Sequence, residues 1–209
     1  MPAVQSAAGT PIAQGSLAQM RLLIIDKTAG LLSSHERHRA LARLPDVDLH
    51  VFGPERWVES DRKVVWNSRD EENYERHFGK LVFPGYYARH FYYQGLVQTI
   101  RRLQPDAIQL FEEPWSLVAG QVLACSKISR VPALLFYTWE NIYRPWTYPS
   151  RLSPVYGLID RRMHRASRGA LCATCAAQDV LRRKGYAHPT AVVPYAVSDR
   201  FFSESTRQQ

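Results

Sequence analysis

The chain has 209 residues, of which 45% are hydrophobic, enough for one substantial core. No apolar run approaches the ~18–20 residues of a membrane-spanning helix. Three cysteines, Cys125, Cys172 and Cys175, are too few for a disulfide framework and point to a reducing cytosol. The formal net charge of +8 favours anionic partners such as nucleotides, phosphates or acidic lipid. No nucleic-acid recognition motif accompanies that charge, so nucleic acid is not an expected partner.

Residues 1–19 are rich in Ala, Gln, Ser, Gly and Pro, lack a basic start, and read as a disordered leader rather than a signal peptide. Residues 21–26 form a continuous apolar run of the parallel-strand kind, followed by a turn over 27–30. Ser33 with Glu36 fits a capping box and predicts a helix start, with Pro45 ending the helix. Residues 47–52 alternate apolar and polar and predict a second strand. Residues 53–80 are polar and charged, with one short candidate strand at 64–66, and 81–83 make a better one before Pro84 and Gly85. Tyr92, Leu96, Ile100 and Leu103 recur at helical spacing, which predicts a helix from about 87 to 103.

The stretch 105–115 organises the rest. Ala107, Ile108, Leu110 and Phe111 make a short buried strand that stops at Glu112, Glu113 and Pro114, because proline cannot donate to a sheet ladder. A helix over 118–128 follows, then a strand over 132–138 that ends in Trp139, Glu140 and Asn141. Residues 142–154 are dense in aromatics and prolines and read as a structured loop. A basic helix over 155–166, a strand over 169–174, a helix over 176–184 stopped by Gly185, and a strand over 191–193 complete the pattern. Strands alternating with helices imply an α/β fold with a mostly parallel sheet and helices on both faces. In such sheets ligands sit beyond the carboxyl ends of the strands, where Glu112, Glu113 and Trp115 would lie.

Residues 105–115, 138–141, 160–168, 176–185 and 193–202 together resemble the N-terminal domain of a glycosyltransferase family 4 enzyme of GT-B fold. The Glu-Pro-Trp turn at 113–115, the Tyr-Thr-Trp-Glu-Asn strand end at 137–141 and the Val-Pro-Tyr-Ala-Val-Ser-Asp-Arg-Phe segment at 193–201 carry it most. The resemblance implies a Rossmann-like acceptor domain over 20–202, with 203–209 a polar tail at the start of a second domain that this chain lacks. It implies a hexosyltransferase that moves sugar from a nucleotide-sugar co-substrate to a hydroxyl of a glycan or lipid-linked acceptor. No metal and no tightly held cofactor are expected, and the chain alone would be incomplete for catalysis. Partners would be the acceptor and a C-terminal donor domain. The location would be cytoplasmic, with peripheral contact to an acidic inner membrane face. The alternative is a non-catalytic module that binds carbohydrate or a partner.

Each candidate residue also has a plainer reading. Gly30 either lets a phosphate approach the backbone, as the resemblance implies, or makes an ordinary tight turn. No G-x-G-x-x-G is present, which argues against a nicotinamide site. His35 and Glu36 sit nearest the strand rim among a run of charged helix residues and are kept as acceptor contacts. A carboxylate at Glu112 or Glu113 suits sugar hydroxyls or proton removal, or simply pairs with arginine. The resemblance favours Glu113 as a catalytic group. Glu140 is the second catalytic candidate, standing where many relatives place a histidine, with Trp115, Trp139 and Asn141 as cleft contacts. The Cys172–Cys175 pair lacks the partners of a zinc site and reads as packing. Arg101, Arg102, Arg161, Arg162, Arg165, Arg182, Arg183 and Lys184 supply surface charge, and Tyr86, Tyr87, Phe91, Tyr92 and Tyr93 the aromatics of a membrane-contacting face.

Overall fold

A computed structural model describes residues 19–59, 62–66, 72–148 and 150–195. The leader over 1–18, the end of the family-like segment over 196–202 and the tail over 203–209 lie outside the described residues. Gln19 is described, and its side-chain amide donates to the Pro45 carbonyl at 2.9 Å.

Ten strands and five helices are described: β1 (Met20–Asp26), α1 (Leu32–Leu41), β2 (Val47–Pro54), β3 (Arg56–Glu59), β4 (Arg62–Val65), β5 (Glu75–Val82), β6 (Phe91–Gln94), α2 (Leu96–Leu103), β7 (Ala107–Phe111), α3 (Leu117–Ile128), β8 (Ala133–Thr138), α4 (Ser153–Ala166), β9 (Gly169–Cys172), α5 (Cys175–Arg183) and β10 (Thr190–Val192). Eight strands make one sheet in the order β10-β9-β8-β7-β1-β2-β5-β6, and β3 and β4 form a separate hairpin. All neighbours in the large sheet are parallel except β6, which runs antiparallel to β5. The chain leaves β1 on one side to form β2 and returns on its other side as β7, so the strand order reverses between β1 and β7. That reversal opens a crevice beyond the carboxyl ends of the two strands.

Successive side chains of β1 alternate between faces. Leu23 and Ile25 pack with Ile108, Leu110, Leu134 and Phe136 against apolar residues of α2, α3, α4 and α5. Leu22 and Ile24 face the other way, toward α1, Val51 and Trp66. Helices therefore cover both faces of a mostly parallel α/β, Rossmann-like sheet. No helix among the described residues is long and apolar enough to cross a membrane.

Two expectations of local structure are corrected. The helix expected from 87 to 103 is only its second half: Phe91–Gln94 is a strand and α2 begins at Leu96. Aromatic residues pair well in a pleated edge, and Gly95 breaks the helical run with φ of 97°. A Cβ at Gly95 would lie 2.6 Å from the Phe78 carbonyl oxygen. Gly95→Ala is expected to cost about 2 kcal/mol or more, seen as a lower denaturant midpoint. The Ser33–Glu36 capping box is also absent. Leu31 is the N-cap and no side chain caps the helix, because Asp26 organises the preceding turn by accepting the Thr28 N–H at 2.7 Å and hydroxyl at 2.6 Å.

Candidate functional site

A cavity of about 600 Å³ lies at the switch point. Pairing Asp26 with Phe111 brings Lys27 beside Glu112, so the last residues of two central strands form its floor. Thr28 lines it from the turn after β1, Ser34 and Arg37 from α1, Tyr87 and Glu59 from one side, and Trp115, Trp139 and Tyr195 from the other.

Each strand end carries a buried charge with a defined partner. The Lys27 ammonium pairs with Glu112, and sits 4.7 Å from the Tyr87 ring centre and 4.8 Å from that of Trp139. Glu112 also accepts the Glu113 backbone N–H at 3.0 Å. The buried His90 ring lies 3.7 Å from Glu112, and desolvation holds its imidazole below the usual range despite that carboxylate. Behind Lys27, Asp26 is fully buried. Burial alone would raise its carboxyl, but His38, Arg37 and Thr28 outweigh burial and hold it far below the carboxylate range. Arg37 pairs with Asp26 while its guanidinium carbon lies 3.9 Å from the Phe111 ring centre.

Glu113 differs from its neighbour. It is buried, and among the described residues no cation stands against it. The Thr138 hydroxyl donates to one oxygen at 2.7 Å and the Trp139 N–H to the other at 2.8 Å. Desolvation outweighs those bonds and pushes its carboxyl up to about 8. A carboxyl that titrates near neutrality at the floor of an aromatic cleft is suited to taking or giving one proton. The strand–helix junction fixes it in place: Ser116 caps α3 by accepting the Ala119 N–H at 3.2 Å, and its hydroxyl donates to the Glu113 carbonyl at 3.0 Å.

The structure brings together Glu113, Trp115 and Trp139 and sets the other candidates apart. Trp115 stacks on Tyr148 at 4.7 Å, and its indole N–H has no partner among the described residues. Gly30 turns its Cα toward the hairpin: a Cβ there would lie 3.1 Å from Val64 and 3.3 Å from Trp66, so its smallness serves packing. His35 is buried 3.1 Å from Glu72 and outside the cavity, because α1 rotates it toward Trp66. Glu36 lines a different groove, between α1 and the sheet face at Gln109 and Leu171. Asn141 accepts the Thr174 hydroxyl at 2.5 Å at the start of α5. Glu140 is engaged by Lys184 at 2.7 Å and Arg144 at 2.8 Å, away from the cavity lining.

Two surface assignments also change. Lys184 is buried, not part of the basic exterior, and Tyr92 is a core residue, while Tyr86, Tyr87, Phe91 and Tyr93 remain exposed. Cys172 is buried and Cys175 exposed, and burial pushes the Cys172 thiol up to about 11, which suits packing rather than reactivity. Sequence reasoning missed Lys27, Arg37, Tyr87 and Glu59 as lining residues. The charged residues Asp26 and Lys27 at the end of the first apolar strand were a signal for Lys27. Glu59 belongs to the hairpin that 53–80 did not reveal.

No family model matches the chain, and neither does any curated protein. Solved structures do. UGT2 of Phytolacca americana, complexed with UDP-2fluoro-glucose and pterostilbene, is 11% identical with a TM-score of 0.53, covering 91% of this chain and 57% of that one. UGT73P12 of Glycyrrhiza uralensis, complexed with glycyrrhetinic acid 3-O-monoglucuronide, is 10% identical with a TM-score of 0.49, covering 84% and 49%. The chain thus spans about half the length of these proteins. Similarity at that identity speaks to fold alone: the chain has a Rossmann-like α/β fold like one lobe of a GT-B structure, and the comparison does not select family 4.

Proposed function

We propose that this chain is the acceptor-binding lobe of a glycosyltransferase, moving a sugar from a nucleotide-sugar donor to a hydroxyl of a glycan or lipid-linked acceptor. The carrying observation is Glu113, buried at the floor of the switch-point cavity with no cation against it among the described residues, where desolvation pushes its carboxyl up to about 8. The acceptor hydroxyl hands its proton to Glu113 as its oxygen bonds to the sugar and the donor phosphate departs. Thr138 and the Trp139 N–H aim the carboxylate. Trp115 and Trp139 offer flat faces for a sugar ring. The donor belongs on a second lobe of GT-B type, with family 4 as the favoured branch. Transfer needs no metal on this reading, since orientation and proton removal carry it.

Tryptophan fluorescence tests the acceptor half directly. Hydroxyl-bearing acceptors are expected to quench the isolated chain, and Trp139→Ala to weaken that binding by about 3–10-fold, the worth of one stacking contact. Nucleotide-sugars are expected to leave the signal unchanged, and tight nucleotide-sugar binding would refute the division between lobes.

A cytoplasmic lobe resting on an acidic membrane face fits the same reading. Phe83, Tyr86, Phe91 and Tyr93 are exposed around the β5–β6 turn, next to Tyr87 at the cavity. Sedimentation with phosphatidylserine vesicles, lost at high salt and with neutral vesicles, is the expected result.

A further inference from the structure

A second cluster, independent of the cleft, sits where β2 meets β5. Alternate residues on adjoining strands share a face, and the register sets His50 opposite Glu75 and Phe52 opposite His77. His50 Nδ1 lies 3.1 Å from His77 Nε2 and 3.4 Å from Glu75 Oε2, and His77 Nε2 lies 3.9 Å from the same Glu75 oxygen. The circle through those three atoms has a radius of about 2.0 Å, the length of a zinc–nitrogen or zinc–carboxylate bond. We propose that His50, His77 and Glu75 form a zinc-binding site that ties β2 to β5.

The surroundings fit a metal centre. The two imidazoles are buried, with side chains 5% and 7% exposed, while the Glu75 side chain is 71% exposed and leaves an entry path and room for a water ligand. His50 Nε2 lies 3.3 Å from Asp48, which is itself held by Arg21 at 3.1 Å. A carboxylate behind a ligating histidine fixes the ring and its tautomer and strengthens it as a donor. Two nitrogens and one oxygen suit zinc better than magnesium or calcium. Because β5 begins at Glu75, the site lies at the amino end of that strand, far along the sheet from the cavity beyond the carboxyl ends.

Arg102 opposes the ion and therefore discriminates. Its guanidinium lies 3.1 Å from His77 Nδ1, where it donates to that nitrogen. Binding through Nε2 places the His77 proton on Nδ1, so Arg102 must withdraw. Calorimetric titration of the chain with zinc chloride is expected to show one ion per chain, with a higher melting temperature. Glu75→Gln and His77→Gln are each expected to weaken binding by about 100-fold or more. Arg102→Ala should tighten it, and Cys175→Ser should leave it unchanged. Glu75→Gln alters an exposed side chain, so it remains informative where the buried histidine variant fails to fold. Absence of stoichiometric binding, binding that survives Glu75→Gln, or binding unmoved by Arg102→Ala overturns the assignment.

Discussion

Glu113→Gln, in a complete two-lobe enzyme, is expected to lower turnover by about 10²–10⁴-fold, the usual worth of a positioned base. Glutamine keeps the volume, its one carbonyl oxygen can still accept the Trp139 N–H, and its NH2 can donate to the Thr138 hydroxyl, so acceptor affinity should change little. With the wild-type carboxyl titrating at about 8, turnover should climb with pH toward that value, and the variant should lose this limb. Stability moves the opposite way. The folded protein keeps the Glu113 proton where the unfolded chain has already released it, so stability falls as pH rises from about 4.5 to about 8. The variant removes that dependence and should melt higher than wild type in mild alkali. Unchanged turnover together with an unchanged pH profile would remove Glu113 from the chemistry.

Lys184→Met is expected to cost about 3–5 kcal/mol, because it strands buried carboxylates. The Lys184 ammonium is 1% exposed and binds Glu140 at 2.7 Å, Asp160 at 3.0 Å and the Tyr148 hydroxyl at 3.3 Å. Burial on its own would lower this lysine, but Asp160 and Glu140 outweigh it and raise it. Asp160 also pairs with His164 at 3.1 Å and accepts the Tyr148 hydroxyl. One cation thus joins α5, α4 and the aromatic loop between β8 and α4. For a chain of this length the loss corresponds to a fall in melting temperature of roughly 6–20 °C, measurable by calorimetry. The Tyr148 ring supports Trp115, so acceptor binding should weaken as well. A melting temperature within error of wild type would show that the network contributes nothing net.

The central strands β1, β2, β7 and β8 were legible because buried parallel strands are short, apolar and punctuated. The run ending at Glu112 and Glu113 marks both β7 and the ligand-facing edge, and the cavity lies there. Glu113 and Trp115 could be placed from that punctuation, whereas Glu140 could not. It follows its strand in the same way, but its partner Lys184 is 44 residues distant and invisible to local patterning. His35 was misplaced for a related reason. Its contacts are set by how α1 rotates toward Trp66, and that tryptophan directly follows a hairpin with no clear alternation in its sequence. The 87–103 helix erred through coincidence: Tyr92, Leu96 and Ile100 share one core, yet Tyr92 reaches it from a strand and the other two from a helix.

The pairing of Lys27 with Glu112 and of Arg37 with Asp26 has a consequence for recognition. In a protein carrying +8 overall, each cation at the cleft is answered by its own carboxylate, so among the described residues no unpaired positive charge faces the cavity. Selection inside it rests on ring shape and hydroxyl placement, and occupancy by a neutral sugar should hold steady as ionic strength rises. Long-range attraction belongs to the basic exterior, so the step that brings the protein to a surface and the step that fills the cleft respond to salt separately.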